Sequence, residues 1–561
     1  MRTQVPAAAS FPFTVTSPAG ISCQLNSSGS MRRMDCGDIL INLFPGNEAE
    51  GGAVNIHLRR HGAAVESIPL TGPCSPAAWR FDNRGMTCRG CWGDLVFRVR
   101  LQLAESASAW FWHVELENTG AGTVRCDLIH TQDIGIAHYG AVRLNEHYVS
   151  QYIDHSPLNH PAKGVAIASR QNLSMGGRHP WTVIGSLGKG VSIATDALQF
   201  YGLAGRSGGE PAALESGLPG LRMQHEHSLV CVQDETVDLQ PGQKSTSGFF
   251  AWFEADHPAA TSDADLARID SALALPEACC PPWPEDQAAA CAAGSLFAAA
   301  PWLETIDLTN DEAREHFGGN VQHEETENGE LRSFFTATGG HVVLKAKELE
   351  VLRPHGHILR SGSHLVPDEA SLTSTVWMGG VFHSMVTQGH VSINRLLSTC
   401  HTYLGMFRSH GQRVFVEIAG EWRLLGVPSA FAMNADACRW IYKHAGGVIE
   451  VLASASGISH ELGFSLKVTS GPPVRFLISH HIAINGDDGL RPGPVVCDRV
   501  GSSVHVRAVP DSDVGRRFPI GCFVIGTGDE SVIERTGGDE MLYQDGLSRN
   551  EPFLCFITAP S

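Results

Sequence analysis

Two stretches gather side chains able to hold a polyhydroxylated ligand. Asn145-Glu146-His147-Tyr148-Val149-Ser150-Gln151-Tyr152-Ile153-Asp154-His155 mixes rings with directional hydrogen-bonding groups. Tyr and His offer a flat apolar face and a polar tip, and Asn, Gln and Glu fix hydrogen bonds in direction, as a saccharide requires. A solvated, irregular loop has the same composition. Asn145, Glu146, Tyr148, Gln151, Tyr152 and His155 are the candidates from this stretch. Arg353-Pro354-His355-Gly356-His357-Ile358-Leu359-Arg360 is the densest cationic cluster. Guanidinium forks and imidazoles suit carboxylates, phosphates or polyols, and equally suit hydrogen bonds between strands or domains. Arg353, His355, His357 and Arg360 are candidates on that basis.

A third stretch, Asp127-Leu-Ile-His-Thr-Gln-Asp133-Ile-Gly135, sets two carboxylates and a histidine just after an expected strand. Loops at strand ends often carry binding groups, which makes Asp133 a candidate. Asp133 and Gly135 equally suit a turn, where Asp bonds its own backbone and Gly permits positive φ. Elsewhere the motifs are weak. Cys88-Arg-Gly-Cys91 has no second pair to complete four zinc ligands, and it reads as two thiols near a turn. Gly185-Ser-Leu-Gly-Lys-Gly190 lacks phosphate-loop spacing and reads as a turn. No G-x-S-x-G or H-E-x-x-H motif occurs. Neither a metal site nor any other cofactor site is expected.

These residues must be positioned by a chain of 561 residues, 43% hydrophobic and 18% charged, with 60 Gly and 30 Pro. That is a globular composition with many turns. The net charge of −18, with no long basic run, argues against a nucleic-acid or anionic-membrane partner. No apolar run reaches the roughly 18 residues of a membrane span. The start has no secretory pattern, and the scattered cysteines read as reduced thiols, so a cytoplasmic protein is expected.

Residues 1–257 read as one β domain. Phe97, Val99, Leu101 and Leu103 alternate with polar residues, and Trp110, Trp112, Val114 and Leu116 alternate with Phe111, His113, Glu115 and Glu117, the period of half-buried strands. Residues 258–318 read as a helical linker. Ser262 precedes Asp265 at capping-box spacing, Leu266, Ile269 and Leu273 share a helical face, and an Ala-rich stretch runs from Glu285 to Ala300. Residues 319–561 return to β, with a hairpin through Ala419-Gly420 and alternation at Leu462, Phe464, Leu466 and Val468. The expected fold class is mainly β: two tandem large antiparallel β-sandwiches joined by helices.

Several long runs carry a resemblance in the same order along the chain. They are Asp127 to Gly135, Asn145-Glu146, Ser150 to His155, Ser169-Arg-Gln171, Thr195 to Leu203, Leu331 to Thr336, His341 to Leu349, Arg353 to Arg360 and Ser409 to Arg413. Across about residues 90 to 430 the sequence resembles the N-terminal region of the 1,2-β-oligoglucan phosphorylases. These belong to glycoside hydrolase family 94, which includes the phosphorylase-like part of cyclic β-1,2-glucan synthases. Asn159-His-Pro-Ala162 is similar to a segment of those synthases. The resemblance implies galactose-mutarotase-like sandwiches followed by an (α/α)₆ barrel that holds the catalytic site. It implies β-1,2-glucan as substrate, inorganic phosphate as co-substrate and nucleophile, and a single Asp as general acid.

The sequence is still β-like at Phe553 to Thr558, and a double barrel needs roughly 150 residues of helix at least. The expectation is therefore that no barrel, no catalytic residue and no phosphate site lie in this chain. It would then be the carbohydrate-binding accessory half of a phosphorylase, its barrel missing or separately encoded, with residues 319–430 expected either to dock such a barrel or to self-associate. The alternatives are a stand-alone glucan-binding protein, or a sugar mutarotase or epimerase using His113 and Glu115. That last pair, beside Glu117, reads as a solvated strand face.

Overall fold

The computed structural model describes residues 11–224, 227–283, 294–363, 368–389, 395–400, 404–485, 493, 495–528 and 532–560. The chain is mainly β. Contacts group it into two compact units, Met1–Gly202 with Glu210–Gly294, and Leu203–Gly209 with Ser295–Ser561. Residues 258–294 thus group with the first unit and 295–318 with the second. Most of the Ala-rich stretch lies outside the described residues; its end, Leu296–Ala299, is a short helix capped by Ser295.

The first unit contains a five-stranded sheet from Phe13–Thr16 to Ala137–His138 and a sheet of fourteen strands. Leu95–Leu103 buries Phe97, Val99, Leu101 and Leu103 on one face, as its alternation predicts. The neighbouring strand Ala109–Asn118 departs from expectation. Phe111 and His113 are buried along with Trp110, Trp112 and Val114, because the second face of this strand is also covered. Helix Leu266–Leu273 lays Ile269 and Ala272 on Phe111, and the Glu277 carbonyl sits 3.0 Å from His113 Nε2. His113 is therefore not on a solvated face. Ser262 and Asp265 do form the capping box that precedes this helix.

In the second unit a seven-stranded sheet, Val321–Glu327 through Leu462–Ser470, packs against a five-stranded sheet that includes Gln412–Ile418, Phe476–His481 and Phe553–Thr558. Phe431, Trp440 and Val451 of the first meet Val414, Val416 and Phe476 of the second in one apolar cluster. The other face of the seven-stranded sheet buries Phe334 and Ile441 with Ala313 of helix Asn310–Phe317. Thr309 and Glu312 form the capping box that starts that helix. Two three-stranded sheets complete the unit: Gly356–Arg360, Leu372–Trp377 and Val381–Gln388, then Val496–Val500, Ser503–Arg507 and Phe523–Gly526. Among the described residues no α-helix exceeds eight residues, no helical barrel is present, and no helix is long and apolar enough to cross a membrane.

Candidate functional site

The stretch 145–155 is helical before it becomes a strand. Asn145 ends the helix Tyr139–Leu144 and caps the helix Glu146–Gln151, its Oδ1 accepting from the Tyr148 N–H at 3.0 Å. The cap sets the first turn, and Tyr148 and Tyr152, four residues apart, meet on one side. Their ring centroids lie 4.8 Å apart at 58°, and the rings are 46% and 38% exposed. Gln151 is exposed beside them. Gln224 Nε2 holds the Gln151 and Ile153 carbonyls at 2.9 and 3.0 Å, and Arg222 pairs with Asp154. The result is an open aromatic platform rimmed by amide and guanidinium donors, a surface that fits the apolar face and hydroxyl edge of a pyranose.

The other candidates of this stretch lie beneath that surface. Glu146 is buried, 3.4 Å from His147 Nε2, and His147 stacks on His227 at 4.9 Å. His155 is buried with Nδ1 at 2.8 Å from Ser169 Oγ and Nε2 at 3.0 Å from Ser228 Oγ. Burial first, and the Arg222 charge second, lower its pKa to about 3. It is a neutral imidazole tying three strands together.

Asp127 and Asp133 lie within the strand Val124–Asp133 rather than in a loop after it. Asp127 pairs with Arg59. Asp133 is fully buried and accepts from Asn42 Nδ2 at 3.0 Å, Leu43 N at 2.8 Å and Phe44 N at 2.6 Å. Burial raises its pKa to about 6, and the three donors oppose that shift. Its carboxylate anchors the chain at residues 42–44. In the CxxC, Cys88 is buried and Cys91 exposed on one strand, so the thiols do not converge. Among the described residues no cluster of three or more His, Cys, Asp or Glu fits a metal ion. Gly185 to Gly190 closes the turn between Trp181–Ser186 and Gly190–Asp196.

In the second unit the cationic cluster is divided. His355 Nδ1 donates to Glu348 Oε2 at 2.6 Å, and the His355 N–H bonds the same buried carboxylate. His357 and Leu359 share one face of the strand Gly356–Arg360, and Leu359 is in the core; Arg360 lies on the other face. His357 Nε2 and Arg360 Nε are buried without a hydrogen-bond partner. Arg353 is exposed in the preceding turn.

Sequence patterns did not disclose a cavity of about 1180 Å³ in the second unit. One wall is the face of the five-stranded sheet carrying Gln412, Ile478, His480 and Phe556. Other parts of the wall include His383, Phe518, residues 454–464 and residues 521–528. His383 Nε2 donates to the Gly463 carbonyl at 3.1 Å, and its Nδ1 lies 2.9 Å from Ser374 Oγ. His480 Nδ1 donates to the Leu554 carbonyl at 3.2 Å, and its Nε2 faces Gln412 Nε2 at 3.0 Å. Burial lowers the pKa of both imidazoles to about 4, His383 adding to the effect on His480. Both are neutral hydrogen-bonding groups at physiological pH. No spacing rule brings positions 383, 412, 463 and 480 together.

Residues 24–251 match the SOGP N-terminal domain, and residues 319–559 match the glycoside phosphorylase supersandwich domain. Over 474 residues the chain is 29% identical to the 1,2-β-oligoglucan phosphorylase of Listeria innocua, covering 84% of this chain and 42% of that protein. The chain is a phosphorylase-like protein built from these two domains.

This phosphorylase-like chain spans less than half the length of the curated relative it matches. The tyrosine platform falls within the first matched domain and the cavity within the second. Among solved structures, a polysaccharide lyase shares 8% identity over 82% of this chain and 47% of its own, at a TM-score of 0.29. A bacterial glucoamylase shares 9% over 48% of this chain and 34% of its own, at 0.29. A galactose mutarotase related enzyme from Lactobacillus acidophilus shares 9% over 45% of this chain and 99% of its own, at 0.23.

Proposed function

We propose that this chain is the non-catalytic, carbohydrate-engaging part of a β-1,2-oligoglucan phosphorylase. The observation that carries the reading is the match to the Listeria phosphorylase, which runs through both β units and covers 42% of that protein. Two carboxylates of the candidate stretches support it. Asp133 is held by three N–H donors, and Glu146 is buried beside His147. A general acid must instead reach the glycosidic oxygen. In this reading the general acid and the phosphate site belong to an (α/α)₆ barrel, the partner that completes the enzyme. β-1,2-Glucan is steered to it by contacts at Tyr148 and Tyr152. Buried free thiols at Cys23, Cys126, Cys231, Cys438 and Cys555 suit a reducing, cytoplasmic setting.

The mutarotase alternative finds no support at His113 and Glu115. His113 is bound to the Glu277 carbonyl, and Glu115 pairs with Arg98 at 3.1 Å.

The test is release of glucose 1-phosphate from β-1,2-glucan by the purified chain, with and without an added barrel. The chain alone is expected to release none. Release by the chain alone, abolished by a substitution within it, would overturn the reading.

A further inference from the structure

Gln412, one of the residues lining the second-unit cavity, carries a polar atom that no described protein group satisfies. The Leu554 carbonyl can only accept, so His480 carries its proton on Nδ1. Its Nε2 must then accept, which orients the Gln412 amide with Nε2 toward the imidazole. Gln412 Oε1 is left over. Gln412 is only 5% exposed, it lines the cavity, and its Oε1 is buried with no hydrogen-bond partner. A buried acceptor of this kind calls for a donor from whatever fills the space.

The rest of the lining narrows the donor's chemistry. The described lining residues include no Lys or Arg, and the single carboxylate, Glu461, is exposed at the rim with His460. An anionic ligand finds no Lys or Arg among those described residues. Phe464, Phe518, Phe523 and Phe556 offer flat apolar walls, and Ser454 and Ser456 offer hydroxyls. A purely hydrocarbon ligand would suit the phenylalanines but leave Gln412 Oε1 unpaired. A neutral ligand with hydroxyl donors on apolar ring faces suits both.

We infer that this cavity is a binding site for a neutral oligosaccharide, with Gln412 Oε1 accepting from a sugar hydroxyl and the phenylalanines packing on the rings. It is a second carbohydrate site, in a different unit from the tyrosine platform. It extends the proposed glucan-handling role, but stands on its own residues.

Cys522 is exposed and lines the cavity, whereas Cys91 is exposed in the first unit. The alkylation rate of each thiol, mapped by mass spectrometry, therefore reports where a ligand sits. The probe is β-1,2-linked glucotriose, with decanoate as the apolar comparison, and binding is followed in parallel by calorimetry. Glucotriose should slow alkylation of Cys522 severalfold and leave Cys91 unchanged. Gln412→Met, close in volume but without the acceptor, should weaken this protection on the order of tenfold. Phe518→Ala at the half-exposed wall should weaken it as well, and serves if Gln412→Met does not fold. The inference fails if Cys522 is unprotected up to the solubility limit of glucotriose. It also fails if protection is unchanged in the variants, or if only decanoate protects. A Tyr148→Ala/Tyr152→Ala double variant separates the two sites. Protection retained in that variant with part of the heat lost confirms two sites. Tyrosine-dependent heat without Cys522 protection sinks the cavity alone. Protection with no tyrosine-dependent heat sinks the platform alone.

Discussion

Arg59 and Asp127 form a two-pronged buried ion pair across neighbouring strands, Nε to Oδ1 at 2.8 Å and Nη2 to Oδ2 at 2.6 Å. Gln233 Nε2 donates to the same carboxylate at 2.9 Å, and Arg59 Nη1 reaches the Ala213 carbonyl. Removing one partner strands a charge away from water. Asp127→Asn should destabilise the first unit by about 3–5 kcal/mol, while an Arg59→Met/Asp127→Leu pair should cost less than the single change. Urea unfolding of the three variants checks this; an Asp127→Asn cost below about 1 kcal/mol would mean the pair holds little together.

Asp133 should prove structural when replaced. Asp133→Asn turns an amide N–H₂ toward at least one of the three donors now meeting its carboxylate. A loss of about 2–3 kcal/mol is expected, with glucan binding unchanged in the protein that remains folded. A variant of wild-type stability that has lost binding would reverse the assignment.

Acid should weaken the fold through His155. Its pKa is about 3 when folded, chiefly because burial disfavours the charged ring, against about 6.5 in an unfolded chain. Between those values the unfolded state takes up a proton that the folded state refuses. The histidine's contribution is thus fully present above about pH 6.5 and declines as pH falls toward 3. From pH 6.5 to pH 5 the loss is about 2 kcal/mol. His155→Gln, whose amide can bond the Ser169 and Ser228 hydroxyls, should flatten this part of the curve. Denaturant midpoints at the two pH values, compared between wild type and variant, measure it; parallel curves would refute it.

Ala419 and Gly420 form the turn between Gln412–Ile418 and Glu421–Leu424, with φ of 53° and 81°. Glycine is at ease there and alanine is not. Ala419→Gly should raise stability by about 1 kcal/mol, read as a higher melting temperature. An unchanged or lower value would show that the strain is relieved elsewhere.

The tyrosine platform yields the binding prediction. Tyr148→Ala and Tyr152→Ala should each reduce affinity for β-1,2-glucan roughly tenfold, since ring contacts contribute about 1–1.5 kcal/mol. Both rings are partly exposed, so melting temperatures should barely move. Full affinity in the double variant, measured calorimetrically, would remove the platform from the binding surface.

What the sequence determined was local. The alternation of Phe97, Val99, Leu101 and Leu103 fixes a strand with one buried face, because successive side chains in an extended chain point opposite ways. Ser262 and Asp265 mark a helix start because their side chains satisfy nearby backbone donors. Long ordered runs also carried the family. Tertiary structure decided which of those groups still face solvent. His113 looked solvated until residues around Glu277 covered its strand. His155 and Asp133 looked like ligand contacts until distant hydroxyls and backbone N–H groups took up their polar atoms. The cavity lay beyond any sequence rule. Gln412 and His480 are brought together by strand pairing, and His383 and Gly463 by packing, across separations that no local period encodes. Side-chain chemistry is written residue by residue, but whether a polar atom is spent on the fold or left for a ligand depends on what the rest of the chain lays over it.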